Sequence, residues 1–142
     1  MTITGYYVRK CKYSDLAPIY KLLLQLSDFR PEKNFLNIFR EFISQDVVGL
    51  VACMDSTGEV IGFGSIFFFR RIRGGIQAYI EDVAIEPEFQ HDGVGTRIVK
   101  ELLFHAKLKG AYRVVLTCSE RNLPFYAKFG FCRDGFSLKT LI

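Results

Sequence analysis

The fold turns on residues 79–98, "YIEDVAIEPEFQHDGVGTRI". Up to Ile85 the stretch reads as a strand. From Gly93 it opens a helix whose apolar stripe is Ile98, Val99, Leu102, Leu103 and Ala106, with Gly110 as its stop. A strand, a glycine-bearing turn and a helix N-terminus together make an anion site. The first helical amides lack internal partners, and the dipole puts partial positive charge there. Two features of this stretch are unusual. Acidic residues are depleted in strands, yet Glu81 and Asp82 sit side by side in this one, and the turn holds no lysine. The pattern G-x-x-x-x-G-K-[ST] is missing, and the dinucleotide fingerprint would need glycine at Ile98. Main-chain donors without a lysine suit a pyrophosphate that is gripped and not cleaved, which points away from a nucleotide hydrolase. A plain glycine turn is the competing reading at this point.

Working outward, Ile3 to Cys11 reads as a first strand. Ser14 is the expected N-cap of a helix from Asp15 to about Ser27, with Leu16, Ile19, Tyr20, Leu23 and Leu26 at helical spacing. "SDFRPEKN" interrupts it, and a shorter helix follows through Phe35, Ile38, Phe39 and Phe42. Val47–Met54 and Val60–Arg70 form a hairpin about the turn "DSTGE", with Gly62 and Gly64 as sites of bulging or close approach. "RIRGG" turns the chain into the strand Ile76–Ile85. Beyond the long helix come a strand from Tyr112 to Cys118, a short helix from Asn122 to Phe129, and a last strand from Phe131 to Ile142. The order β-α-α-β-β-β-α-β-α-β is that of an α+β domain: a meander followed by a strand-helix-strand crossover.

Composition narrows the classes. A chain of 142 residues suits one domain, residues 1–142, built on one core. With 14 Phe, 7 Tyr and no Trp, much of that core is expected to be aromatic. No apolar run approaches the ~18 residues of a membrane span, and the N-terminus lacks a signal-peptide layout, so a reducing, cytoplasmic location is expected. Cys11, Cys53, Cys118 and Cys132 are scattered without a CxxC, so neither disulfides nor a metal site is expected. A net charge of +4 is compatible with an anionic small molecule and too weak to argue for nucleic acid.

The third element of the pattern is "NLPFYAKFGF", an Asn and a Phe-Tyr pair just after the next strand. Here the chain resembles the GNAT superfamily of acetyl-coenzyme A-dependent N-acetyltransferases. The carrying motifs are [QR]-x-x-G-x-[GA] at a helix start, filled by Gln90, His91, Asp92, Gly93, Val94 and Gly95, and N-x-x-x-[FY]-Y-x-[KR]-x-G-F, filled by Asn122 to Phe131. Within the superfamily the likeness is to the glucosamine-6-phosphate N-acetyltransferases, through "IEDVAI", "GAYRVVLTC" and "NLPFYAKFGF". The resemblance implies a mixed central sheet of six to seven strands with about four helices. It implies acetyl-CoA as cosubstrate, no metal, and an amino sugar phosphate as acceptor in a route to amino-sugar nucleotides.

For individual residues, the resemblance implies that Gln90 to Thr96 hold the coenzyme pyrophosphate, with Asn122, Tyr126 and Lys128 also on the cofactor. The pantetheine would lie along Val83, Ala84 and Ile85, and the Val83 amide would face the developing oxyanion. Tyr126 would protonate the departing thiolate. Glu81 and Asp82 would contact the amino sugar; strand alternation puts Glu81 with Tyr79 and Val83 and Asp82 on the other face. Arg70, Arg71, Ile72 and Arg73 would meet the phosphate, with Tyr112, Arg113 and Thr117 also touching substrate. A buried core role for Tyr126, an ion pair for the carboxylates and a solvated turn for the arginines are the competing readings.

The match frays in places. Thr117 stands where relatives carry an acidic residue, which leaves the base open between Glu120 and an ordered water. "SLKTLI" lacks the arginine expected near the end, so Lys139 is the only local charge there. Cys118 raises a covalent route, but a small buried residue is the ordinary role of such a cysteine; direct transfer is favoured. The alternatives are acetylation of another small amine or a protein amine, or a non-catalytic coenzyme A-binding module. Relatives of this kind imply a homodimer whose last strand reaches into the partner.

Overall fold

The computed structural model describes residues 5–27, 29–30 and 34–142. Five strands form one sheet in the order β1 (Tyr6–Lys10), β2 (Val47–Met54), β3 (Val60–Arg70), β4 (Ile76–Ile85) and β5 (Ala111–Leu116). The first three pairings are antiparallel and β4–β5 is parallel. The parallel pair follows from the connection between its strands. The helix α3 (Val94–Lys109) carries the chain back across the sheet, as a parallel return requires. Three further helices complete the fold: α1 (Leu16–Leu23), α2 (Phe35–Ser44) and α4 (Leu123–Ala127).

The sheet is covered on both faces. On one, Val94, Ile98, Leu102 and Ala106 of α3 pack on Leu50, Ala52, Ile66, Phe68, Ala78 and Ile80. On the other, Ile19 and Leu22 of α1 pack on Val51, Cys53, Phe63 and Ala84, with Phe42 of α2 beside them. Helix α3 lies unusually close to the sheet. A Cβ at Gly64 would sit 2.8 Å from Ile98 Cγ2 and 3.2 Å from Leu102 Cδ1, so only glycine admits this approach. At its C-terminal end, Lys109 Nζ meets Asp46 at 2.8 Å, and Gly110 closes the helix in the left-handed conformation.

The start of α1 differs from the sequence expectation. Ser14 lies within a 3₁₀ turn, Tyr13–Asp15, and does not cap the helix. Asp15 stands at the N-cap position instead, and its buried side chain is held by other partners and makes no cap bond to α1. Arg9 reaches it with a two-pronged contact of 2.7 and 2.9 Å, and the Lys12 amide donates to it at 2.8 Å. The helix ends at Leu23 instead of running to Ser27. Asn34 caps α2 as an N-cap should, accepting the Asn37 amide at 3.1 Å. The expected first strand begins in residues 1–4, outside the described residues, and is seen from Tyr6.

Among the described residues the sheet has five strands, not six to seven. Residues 131–142, expected as a last strand, carry no helix or strand. A strand exists only where a ladder partner exists. Here Phe136, Leu138, Leu141 and Ile142 are almost fully exposed, and no strand among the described residues pairs with them.

Candidate active site

The site begins where two strands part company. β4 and β5 pair from Ile76↔Ala111 to Ile80↔Leu116, and there the ladder stops while β4 runs on to Ile85. From Glu81 onward, the β5 side of β4 is an open main-chain edge. On its other side β4 still pairs with β3, but the register slips. Ser65 lies opposite Glu81 and Phe63 opposite Ala84, so Gly64 faces two residues, Asp82 and Val83. This is a β-bulge. Asp82 absorbs the extra residue with φ 58°, the one positive φ outside glycine among the described residues. The hydroxyl of Ser65, a residue only 1% exposed, donates to the Glu81 carbonyl at 2.9 Å and holds the bulge in place.

The bulge overturns the expected alternation. Glu81 keeps the face of Tyr79, as Ser65 opposite it does, but Val83 changes sides. It packs with Ile85 against the α3 cluster, while Ala84 joins the α1 cluster. The extra residue reverses the parity of the strand. Burial pushes the Glu81 carboxyl above its usual range, and the Asp82 charge pushes it further; burial alone raises Asp82. The two acids therefore interact, although they do not share a face.

Beyond β4, the turn is tied back to the strand: the Gln90 side chain donates to the Ile85 carbonyl at 3.3 Å, and the Asp92 amide to the Phe89 carbonyl at 3.2 Å. Gly93 caps α3 with φ 82°, a conformation that strains any other residue, and a Cβ on it would meet nothing within 4 Å. Among the described residues, no acceptor takes the amides of Gly93, Val94, Gly95 or Thr96. Asp92 Oδ2 is buried without a partner. The turn thus offers unpartnered main-chain donors with open space at Gly93, which fits a diphosphate held by backbone alone. His91 is exposed and Thr96 half-buried on the same turn.

A cavity of about 1010 Å³ runs along β5 and joins Gln77, Tyr79, Arg113, Thr117, Cys118 and Tyr126. Tyr126 projects from α4, its ring edge-on to Phe125 and Phe131 at 5.0 and 5.8 Å. Burial, with a contribution from the Cys118 thiolate, pushes its phenol up to about 12. Such a phenol keeps its proton at neutral pH and can give it to a thiolate. The Tyr79 hydroxyl and Thr117 Oγ1 lie 2.9 Å apart. Glu120, an expected substitute base, is exposed and paired with Arg133 at 3.3 Å. Asn122 is exposed at the entry to α4, and Lys128 Nζ lies 4.9 Å over the Phe125 ring.

Of the expected substrate residues, the structure gathers Arg71, Tyr112 and Arg113 about Gln77. Arg70, at the end of β3, and Ile72 and Arg73, on the turn, lie exposed. Sequence reasoning passed over Ser65, Gln77 and Tyr79 as site residues. The only signal was a polar residue inside an apolar strand, and its meaning depends on which neighbour it meets.

The family model described as the acetyltransferase (GNAT) family matches residues 15–131. The chain belongs to the acetyltransferase (GNAT) family. GNAT enzymes use acetyl-CoA, which accords with the open donors at the α3 turn. The chain is 32% identical over 128 residues to the glucosamine 6-phosphate N-acetyltransferase of Trypanosoma brucei brucei, covering 87% of each chain. The crystal structure of the Arabidopsis thaliana glucosamine-6-phosphate N-acetyltransferase superposes with a TM-score of 0.88 at 28% identity, covering 96% of this chain and 98% of that one. A Clostridium acetobutylicum protein solved with acetyl-CoA shares the GNAT fold, with a TM-score of 0.77 at 19% identity and 96% of each chain covered. No helix among the described residues is long and apolar enough to cross a membrane. Among the same residues, no cluster of three or more His, Cys, Asp or Glu is placed to hold a metal.

Proposed function

We propose that this GNAT enzyme transfers the acetyl group of acetyl-CoA directly to the amine of glucosamine 6-phosphate, with residues 1–142 acting as one catalytic unit. The observation that carries the reading is the shared cavity along β5, which joins Arg113, held with Arg71 by Gln77, to Tyr126, whose phenol keeps its proton. The names of the relatives supply the acceptor.

Acetyl-CoA supplies an acetyl group activated as a thioester. The amides of Gly93 to Thr96, with Gln90, His91 and Asp92 in the preceding turn, are assigned to its diphosphate. Val83, Ala84 and Ile85 offer an unpaired strand edge to its pantetheine arm, and Asn122 and Lys128 flank it. The Val83 amide, just past the bulge, is assigned to the carbonyl oxygen as negative charge develops there. Tyr126 gives its proton to the departing sulfur. Glu81 and Asp82 receive the amino sugar. Their raised pKa values bring them closer to the range of a useful proton acceptor, so loss of an acidic residue at Thr117 need not leave the amine without one. Arg71 and Arg113 face the phosphate, with Tyr112 between them and Thr117 lining the path.

The exposed apolar tail supports a homodimer in which residues 131–142 are covered by a second copy. Four free thiols suit a reducing, cytoplasmic setting. Thiol release from acetyl-CoA, followed across a panel of amines, tests the activity. Turnover confined to glucosamine 6-phosphate is expected. Equal turnover of unphosphorylated amines would remove the acceptor assignment, and binding of acetyl-CoA without turnover would replace the enzyme with a binding module.

A further inference from the structure

Gln77 is a polar side chain 8% exposed in the middle of the sheet. Its Oε1 accepts from Arg113 Nε at 2.6 Å and from Arg71 Nη1 at 3.3 Å. The cluster is braced from the side. Arg71 Nη1 also donates to the Tyr112 hydroxyl, and the Arg113 guanidinium lies 5.7 Å from the centre of the Tyr112 ring. One carboxylate approaches, Asp134 at 3.7 Å from Arg113 Nη1, but it is 72% exposed, and such a pair is worth little.

Two guanidinium groups therefore converge on a single neutral oxygen. Like charges repel, and an acceptor shared between them is needed to hold them together. A carboxylate would hold them as well, but it would cancel one of the charges. An amide oxygen orients both and cancels neither. Gln77 and Arg113 line the same cavity as Tyr126, and Arg71 joins them at the Gln77 oxygen, so the cluster stands at the wall of the space assigned to the acceptor.

We propose that Gln77 is a positioning residue that presents Arg71 and Arg113 as a convergent, unneutralised pair to the phosphate of the acceptor, and that it sets the preference for phosphorylated over unphosphorylated amines. This rests on the acceptor reading given above. Guanidinium forks match phosphate oxygens, and their charge-assisted bonds are the strong ones. Aligning the two forks in advance removes part of the ordering cost of binding.

The test uses the full chain and three readouts. Glucose 6-phosphate, which has the phosphate but no amine, is titrated calorimetrically into the wild type, Gln77→Glu and Gln77→Met. Acetyl-CoA is titrated into the same proteins, and KM values for glucosamine 6-phosphate and acetyl-CoA are measured. Gln77→Glu is expected to weaken glucose 6-phosphate binding at least tenfold and to raise the KM for glucosamine 6-phosphate by a similar factor. Acetyl-CoA binding and its KM should stay within twofold. Gln77→Met, which removes the acceptor without adding charge, should weaken the sugar phosphate several-fold, and it carries the test if the Glu variant does not fold. A merely structural role would shift both ligands together. Wild-type protein that fails to bind glucose 6-phosphate, or variants that bind it as tightly as wild type does, would overturn the inference. The second result would leave wild-type acetylation of glucosamine 6-phosphate standing, whereas absent turnover with intact, Gln77-dependent sugar phosphate binding would overturn only the activity.

Discussion

The two halves of β4 obey different rules. Ile76 to Ile80 is paired on both sides, and its even positions, Ala78 and Ile80, are buried beneath α3. Glu81 to Ile85 has lost its β5 partner, carries a bulge, and holds two carboxylates that burial makes harder to ionise. The first half is stabilised by the regularity of its ladder. The second gives up that regularity for open main-chain groups and a non-glycine residue in the left-handed region, a cost of order 1–3 kcal/mol at such sites. One strand thus anchors the fold and builds the site in successive segments, and the change of rule takes one residue.

Substitutions should separate the halves. Ile80→Ala in the paired half should cost about 2–5 kcal/mol in denaturant unfolding, because it empties a fully packed position under α3. The fraction that remains folded should keep its kcat. Tyr126→Phe, in the cavity along β5, should do the reverse, lowering kcat about a hundredfold with little change in Tm. If the phenol of about 12 is the proton donor, the wild-type rate should show no loss from its ionisation below about pH 10. Gly64→Ala strikes the joint between the halves, and its new methyl against Ile98 should cost about 1–3 kcal/mol, read as a drop in Tm. Ser65→Ala frees the Glu81 carbonyl; it should cost about 1 kcal/mol in stability while its effect on kcat exceeds that of Ile80→Ala.

The smallest effect concerns pH. Because Glu81 ionises less readily folded than unfolded, its charge destabilises the folded chain above its folded pKa, and the penalty vanishes once pH falls below the ordinary carboxylate value. Glu81→Gln should therefore melt slightly higher than wild type at pH 7 and equally at about pH 3, while losing activity. A lower melting point at pH 7 would mean that the carboxylate is stabilised in the fold.

Much of this was legible because it is local. The bounds of β2, β3 and β4 follow from apolar runs flanked by "DSTGE" and "RIRGG". The α3 turn was legible because Gly93 and Gly95 precede a clear helical stripe. Pairing was harder to read. Gly64 hinted at an irregularity, but whether β4 or β3 carries the extra residue is decided across the ladder, so Val83 was placed on the wrong face. The tail failed for the same reason, since the apolar residues Phe136 and Leu138 do not say whether an edge awaits them. Ser14 is no cap because the adjacent Asp15 carboxylate is the group that Arg9, on β1, and the Lys12 amide hold at this turn. Gln77 stayed silent because its two partners come from either side of the strand.

The slip at Asp82 also partitions the enzyme's capacity to change. Upstream of it, Gln77 and Tyr79 line the cavity along β5; downstream, Val83 and Ile85 look into the packing under α3. A lineage could rewrite the first set to admit a new amine without disturbing the second. Loss of the single extra residue would couple them again, and every later change of taste would then tug on the core.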